Sequence, residues 1–177
     1  MIGRAARLQR SAMADLVIRD ALVVDGSGRD AARGDVAVVG ERIAAVGRVA
    51  ERGAVEVDGL GLALAPGFID LHTHYDCQLF WDAGASPSPS HGVTTVVMGN
   101  CGFTIAPCRP DDRETLMQLL LFVEGMPIDT LRAGIRWAWE DFAGYLGALE
   151  RQGVGPNVAA FIGHSAIRYC VMGPAAV

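Results

Sequence analysis

The amino-acid sequence predicts an α/β chain in two parts: a small antiparallel β unit, then the start of a parallel α/β sheet or barrel. Three observations carry that reading. Residues 15–65 hold only short β-rich runs separated by turn formers, residues 66–177 alternate apolar strands with segments of helical spacing, and the strands of the second part end on histidine or cysteine.

Residues 1–12 carry Arg4, Arg7 and Arg10 with no acid and no apolar signal core, so they read as a disordered extension, or as a start codon assigned upstream of Met13. Residues 13–65 form the expected β domain. Its runs are Leu16-Val17-Ile18, Ala21-Leu22-Val23-Val24, Asp35 to Val39, Arg42 to Val46 and Ala54 to Val57. Asp25-Gly26-Ser27-Gly28, Gly40-Glu41 and Asp58-Gly59 separate them, the residue types that tolerate hairpin turns, with Gly40-Glu41 the clearest hairpin.

The pattern changes at Pro66-Gly67, where the second domain, residues 66–177, begins. Phe68 to His74 reads as a strand with alternating apolar residues, followed by a polar, Pro/Ser-rich segment from Ala83 to His91. Val93 to Met98 is a second, buried-looking strand that runs into Gly99-Asn100-Cys101-Gly102. Asp111 to Val123 has helical spacing, with Asp111 or Asp112 as cap and Leu116, Leu119, Leu120 and Val123 on one face. Glu124-Gly125-Met126-Pro127 looks like a helix stop. A second helix is expected from Ala138 to Arg151 on the stripe Phe142, Tyr145, Leu146 and Leu149, and a third strand from Asn157 to Ile162 ends in Gly163-His164-Ser165.

Of 177 residues, 51% are hydrophobic and 20% charged, at a net charge of -5, which describes a soluble globular chain. All 15 basic residues are scattered arginines, which argues against a nucleic-acid partner, and no apolar run approaches the length of a membrane span. Four cysteines without a CxxC pair point to reduced thiols and a cytoplasmic setting.

Functional groups of parallel α/β folds gather at the carboxyl ends of strands, and here those ends hold His72, His74, Cys101 and His164. Alternate strand residues share a face, so His72 and His74 point the same way as Asp70, while Ile69, Leu71 and Thr73 share the other face. Histidine and cysteine are the preferred ligands of zinc-like cations, which acidify bound water and polarise carbonyl oxygens. That is hydrolytic chemistry. Each residue also has a plain structural reading: Cys101 as a buried apolar thiol, His164 as a helix cap, His91 as a turn residue, and Asp70 and Asp76 as backbone acceptors or partners that hydrogen-bond an imidazole from behind. Trp81, Trp137 and Trp139 read as core or rim packing. Cys77, Cys108 and Cys170 have no assignable role.

Pro66-Gly67-Phe68-Ile69-Asp70-Leu71-His72-Thr73-His74 resembles the signature of the amidohydrolase superfamily. Gly92-Val93-Thr94-Thr95-Val96-Val97-Met98-Gly99-Asn100-Cys101-Gly102 is similar to the N-acyl-D-amino-acid deacylase (D-aminoacylase) branch, and residues 15–25 resemble the opening of its small β-sandwich domain. The resemblance implies a metal-dependent hydrolase with a (β/α)8 TIM-like barrel preceded by that sandwich. It implies that His72 and His74 ligate one metal site and that Cys101 ligates zinc, bridging where two ions bind, with other divalent metals able to substitute. The implied reaction takes a small-molecule N-acyl-D-amino acid and water to a carboxylate and a free D-amino acid.

A (β/α)8 barrel needs on the order of 250 residues, and the sequence reaches three barrel strands. It therefore reads as the N-terminal portion of such an enzyme, inactive alone, with the general-base aspartate downstream and no catalytic residue of its own. Self-association through the unclosed barrel edge follows from the same count. Two alternatives stay open: a cyclic-amide hydrolase of the dihydropyrimidinase or dihydroorotase kind, in which a carboxylated lysine would take the part of Cys101, and a non-catalytic remnant or interaction module. The chain contains no lysine.

Overall fold

The computed structural model describes residues 13–176 and divides the chain into two compact units, Met1–Pro66 and Gly67–Val177. The expected extension over residues 1–12 lies outside the described residues.

The first unit is one five-stranded sheet. Strands β1 (Ala14–Val23), β2 (Ala32–Val39), β3 (Arg42–Gly47) and β4 (Gly53–Asp58) lie in the order β3-β2-β1-β4, and the two-residue β5 (Ala63–Leu64) also pairs with β1. The two runs at Leu16–Ile18 and Ala21–Val24 merge into the single strand β1, whose register shifts between Ile18 and Ala21, where Asp20 takes φ 53°. The sheet is not wholly antiparallel. β1-β2 and β2-β3 are, but β4 and β5 run parallel to β1. The five-residue connection after β3 passes to the other side of β1, and hairpin signals, being local, cannot report such a crossover. Val49 of that connection is buried against Ala14, Val17 and Ala37. The sandwich implied by the resemblance needs a second sheet beside this one, and the described residues of the first unit build a single sheet.

Arg19 fastens the crossover. Its guanidinium donates to the Val49 carbonyl and the Glu51 carbonyl, each at 2.7 Å, and pairs with Glu56 at 2.7 Å. The Asp35 carboxylate accepts from Asp20 N at 2.9 Å and Val49 N at 3.2 Å.

The second unit is built on a parallel sheet of three strands, β6 (Phe68–Thr73), β7 (Val93–Met98) and β8 (Asn157–Ala160), in that order. Helices α1 (Arg113–Glu124), α2 (Ile128–Gly134) and α3 (Phe142–Gln152) fill the connection from β7 to β8, and α4 (His164–Met172) follows β8. The parallel α/β expectation is met, and α2, seven residues long, lacks a periodic signal. Gly125, at φ 66°, ends α1 in the left-handed conformation. Asp112 precedes α1, yet its carboxylate takes the Arg109 Nε hydrogen bond at 2.7 Å instead of capping the helix. Asp141 does cap α3, accepting from Gly144 N.

The core of this unit joins Leu79, Phe80, Met98, Ile105, Met117, Leu120, Leu131, Trp139, Tyr145 and Leu149. Trp139 stacks on Phe80 at 4.7 Å between centroids, while Trp81 lies against Gly134 and is 41% exposed. Phe68, Ile69 and Leu71 of β6 are exposed, but Thr73, expected on the face of Ile69 and Leu71, is buried and donates to the Val97 carbonyl at 3.0 Å. The β6-β7 register shifts between Asp70 and Thr73, which breaks the simple alternation.

Candidate metal centre

Parallel pairing of β6 with β7 brings two strand ends side by side, and those ends carry His72, His74 and Cys101. One ligand atom from each lies within 4.8 Å of the others. The two imidazoles stack at 5.2 Å between centroids with an interplanar angle of 26°. Around a tetrahedral cation, with bonds of about 2.0–2.1 Å to nitrogen and about 2.3 Å to sulfur, the ligand atoms stand roughly 3.5 Å apart, so the three would close by up to about 1.3 Å to share one ion. The donor set of two imidazoles and a thiol suits a zinc-type ion.

Backbone contacts hold the Cys101 turn on both sides. Gly99, at φ 78°, could carry a Cβ only 2.6 Å from the Phe161 carbonyl oxygen, so the turn that leaves β7 requires glycine. Asn100 Nδ2 donates to the Leu71 carbonyl at 3.0 Å, tying the turn to β6 beside His72. Ser165 donates to the Gly102 carbonyl through both Oγ, at 2.7 Å, and its backbone N, at 3.1 Å. Cys101 itself is exposed, not the buried thiol of its plain reading.

The other residues singled out by sequence lie around this group. Asp70 accepts a hydrogen bond from His72 N at 3.2 Å. Asp76 is buried, and its carbonyl accepts from the Tyr145 hydroxyl at 2.9 Å. Burial pushes the Asp76 carboxyl up to about 7, and the Glu124 charge adds to that while His74 opposes it. His164 opens α4 beside Gly102 and is exposed, outside the three-residue group. His91 sits exposed in a single helical turn. Cys77 and Cys108 are buried thiols pushed up to about 12, chiefly by desolvation, and neither joins the group.

Glu124 was not singled out by sequence as more than part of a helix stop. Its Oε1 lies 2.7 Å from His74 Nδ1, fifty residues away in the chain, and its side chain is 7% exposed. Burial raises its carboxyl, against the lowering effect of the hydrogen bond to His74. An open pocket of about 350 Å³ borders this pair, lined by His74, Tyr75, Gln78, Val123, Glu124 and Met126.

A family model described as amidohydrolase family matches residues 55–177. The chain belongs to the amidohydrolase family. Within that family it is similar to deacylases of N-acyl-D-amino acids, as the two strand-end motifs predict. D-aminoacylase of Alcaligenes xylosoxydans xylosoxydans is 40% identical over 159 residues, covering 89% of this chain and 31% of that protein. N-acyl-D-aspartate deacylase of the same organism is 39% identical over 173 residues, covering 97% and 32%. The solved structure of N-acyl-D-glutamate deacylase from Bordetella bronchiseptica, complexed with zinc and a phosphonate inhibitor, aligns at a TM-score of 0.76 and 34% identity, covering 92% of this chain and 32% of that one. This amidohydrolase chain thus spans about a third of the length of the relatives it matches. Over that third it shares their fold.

Proposed function

We propose that this chain supplies the first part of the metal centre of a zinc-dependent hydrolase of linear amides, which converts an N-acyl-D-amino acid and water to a carboxylate and a D-amino acid. The observation that carries the proposal is the convergence of His72, His74 and Cys101. The names of the relatives, deacylases of N-acyl-D-amino acids, support the substrate class.

In this reading the two imidazoles and the Cys101 thiolate hold the cation, which, when bound, acidifies water and polarises the scissile carbonyl. The chain's own residues do the holding. Asn100 and Ser165 fix the backbone on either side of Cys101, Asp70 steadies the backbone of His72, and the open pocket beside His74 offers room for part of a small acylated substrate. The general base and the remaining ligands lie on barrel strands beyond β8, so a (β/α)8 barrel completes the site. Four cysteines without a CxxC pair support a cytoplasmic setting. Among the described residues no helix is long and apolar enough to cross a membrane.

The test measures metal content and turnover separately. After dialysis the purified chain is expected to retain zinc and to lose it in Cys101→Ala, while hydrolysing N-acetyl-D-amino acids at a small fraction of the rate of a full-length relative. A well-folded chain without zinc affinity would favour a non-catalytic module instead. Exposed Phe68, Ile69 and Leu71 on the β6 edge support self-association of the isolated chain, which sedimentation velocity at rising concentration reads directly.

A further inference from the structure

Glu124 stands where two physical rules oppose it. It is the last residue of α1, where the helix dipole presents its negative end, and its side chain is 7% exposed, so the carboxylate bears a desolvation cost as well. Among the described residues, its side-chain hydrogen bond is to His74 Nδ1, at 2.7 Å. A residue that breaks local rules at a converging donor set is where a functional contact is expected.

We propose that Glu124 is a positioning residue for the metal centre: its carboxylate accepts the Nδ1–H of His74, locks the ring, and leaves Nε2 free to ligate the cation. The inference rests on the proposed metal-site reading of His72, His74 and Cys101. An ionised carboxylate can only accept, so with Glu124 ionised this contact requires the imidazole proton on Nδ1. Held from behind in this way, an imidazole ligates with fixed orientation and greater basicity, and loss of such a partner weakens metal affinity by roughly 10–100-fold. Gly125, left-handed at the end of α1, halts the helix at Glu124, and the contact with His74 therefore ties the α1 terminus to the residue that follows β6.

The experiment compares the full 177-residue chain with Glu124→Ala and Glu124→Gln. Cobalt(II) titration followed by the thiolate charge-transfer band reads metal affinity. Nitrogen-15 NMR of the metal-free chain reads the His74 tautomer, and urea unfolding reads stability. Expected are an Nδ1–H tautomer in the parent, an affinity about 10–100-fold lower in Glu124→Ala, and a smaller loss in Glu124→Gln, whose amide oxygen still accepts. A merely structural role would lower stability without changing the tautomer. Parent-like affinity in a folded Glu124→Ala chain, or an Nε2–H tautomer in the parent, overturns the proposal. If the parent binds no cobalt, the metal-site reading fails separately, and the ring tautomer still decides whether Glu124 orients His74.

Discussion

The phenolic hydroxyl of Tyr145 donates to the backbone carbonyl of Asp76 at 2.9 Å, joining the middle of α3 to the segment two residues beyond His74. Tyr145 is 1% exposed, and burial raises its pKa well above the ordinary phenol value, so the donor stays neutral across the working range. Tyr145→Phe keeps the ring packing on Phe80 and Trp139 but leaves a buried carbonyl without this partner. The expected loss is about 1–2 kcal/mol in urea unfolding, with weaker cobalt affinity as the His74 segment loosens. Unchanged stability would mean that Asp76 finds another donor.

Three of the four cysteines should separate by alkylation under native conditions. Cys101 is exposed, whereas Cys77 and Cys108 are buried with their thiols held protonated. Peptide mapping after brief iodoacetamide treatment is expected to find the label on Cys101 and none on Cys77 or Cys108, and added zinc should protect Cys101. Labelling of Cys101 that zinc leaves untouched would remove it from the ligand set.

Gly163 packs against the Cys101 turn so closely that a Cβ there would lie 2.5 Å from Thr104 Oγ1 and 2.7 Å from the Gly102 carbonyl oxygen. Gly163→Ala must push α4 away from Gly102, breaking the Ser165 contacts. We expect a destabilisation of about 1–3 kcal/mol together with reduced metal affinity. Gly147→Ala, in α3, is the control: its new Cβ meets only the mobile end of Arg151, at 3.2 Å. Equal effects from the two substitutions would refute the role given to the turn.

Asp35 gives the first unit a pH signature. Its carboxyl is held below the ordinary value of 3.8, first by the hydrogen bond from Asp20 N and further by Val49 N and Arg19, against the opposing cost of burial. A depressed folded pKa contributes stability that is present above the unfolded value and lost as pH falls through the folded one. Asp35→Ala should therefore destabilise the β unit by about 1–2 kcal/mol near neutral pH, and the gap to the parent should close as pH drops below 3.8. A gap that stays constant into that acid range would show that Asp35 acts without its charge.

Much of the second unit was legible in the sequence because strand and helix periodicities are local. Val93–Met98 has the bounds that its apolar run predicts, and the pair His72 and His74, one residue apart at a strand end, is a local pattern too. The motifs around His72, His74 and Cys101 were enough to identify the amidohydrolase family. What depends on pairing between distant segments was not legible. No spacing rule tells that the chain passes from β3 across to the far side of β1, because that crossover is decided by Val49 burial and the grip of Arg19 on the connection. Nor does any local pattern mark Glu124, which reads as the end of a helix until the packing of α1 brings its carboxylate to His74. Sequence by itself determined which residue types stand at the strand ends. Only the tertiary structure decided which of them meet and what holds them, since convergence is set by sheet register and helix packing over separations that no local rule spans.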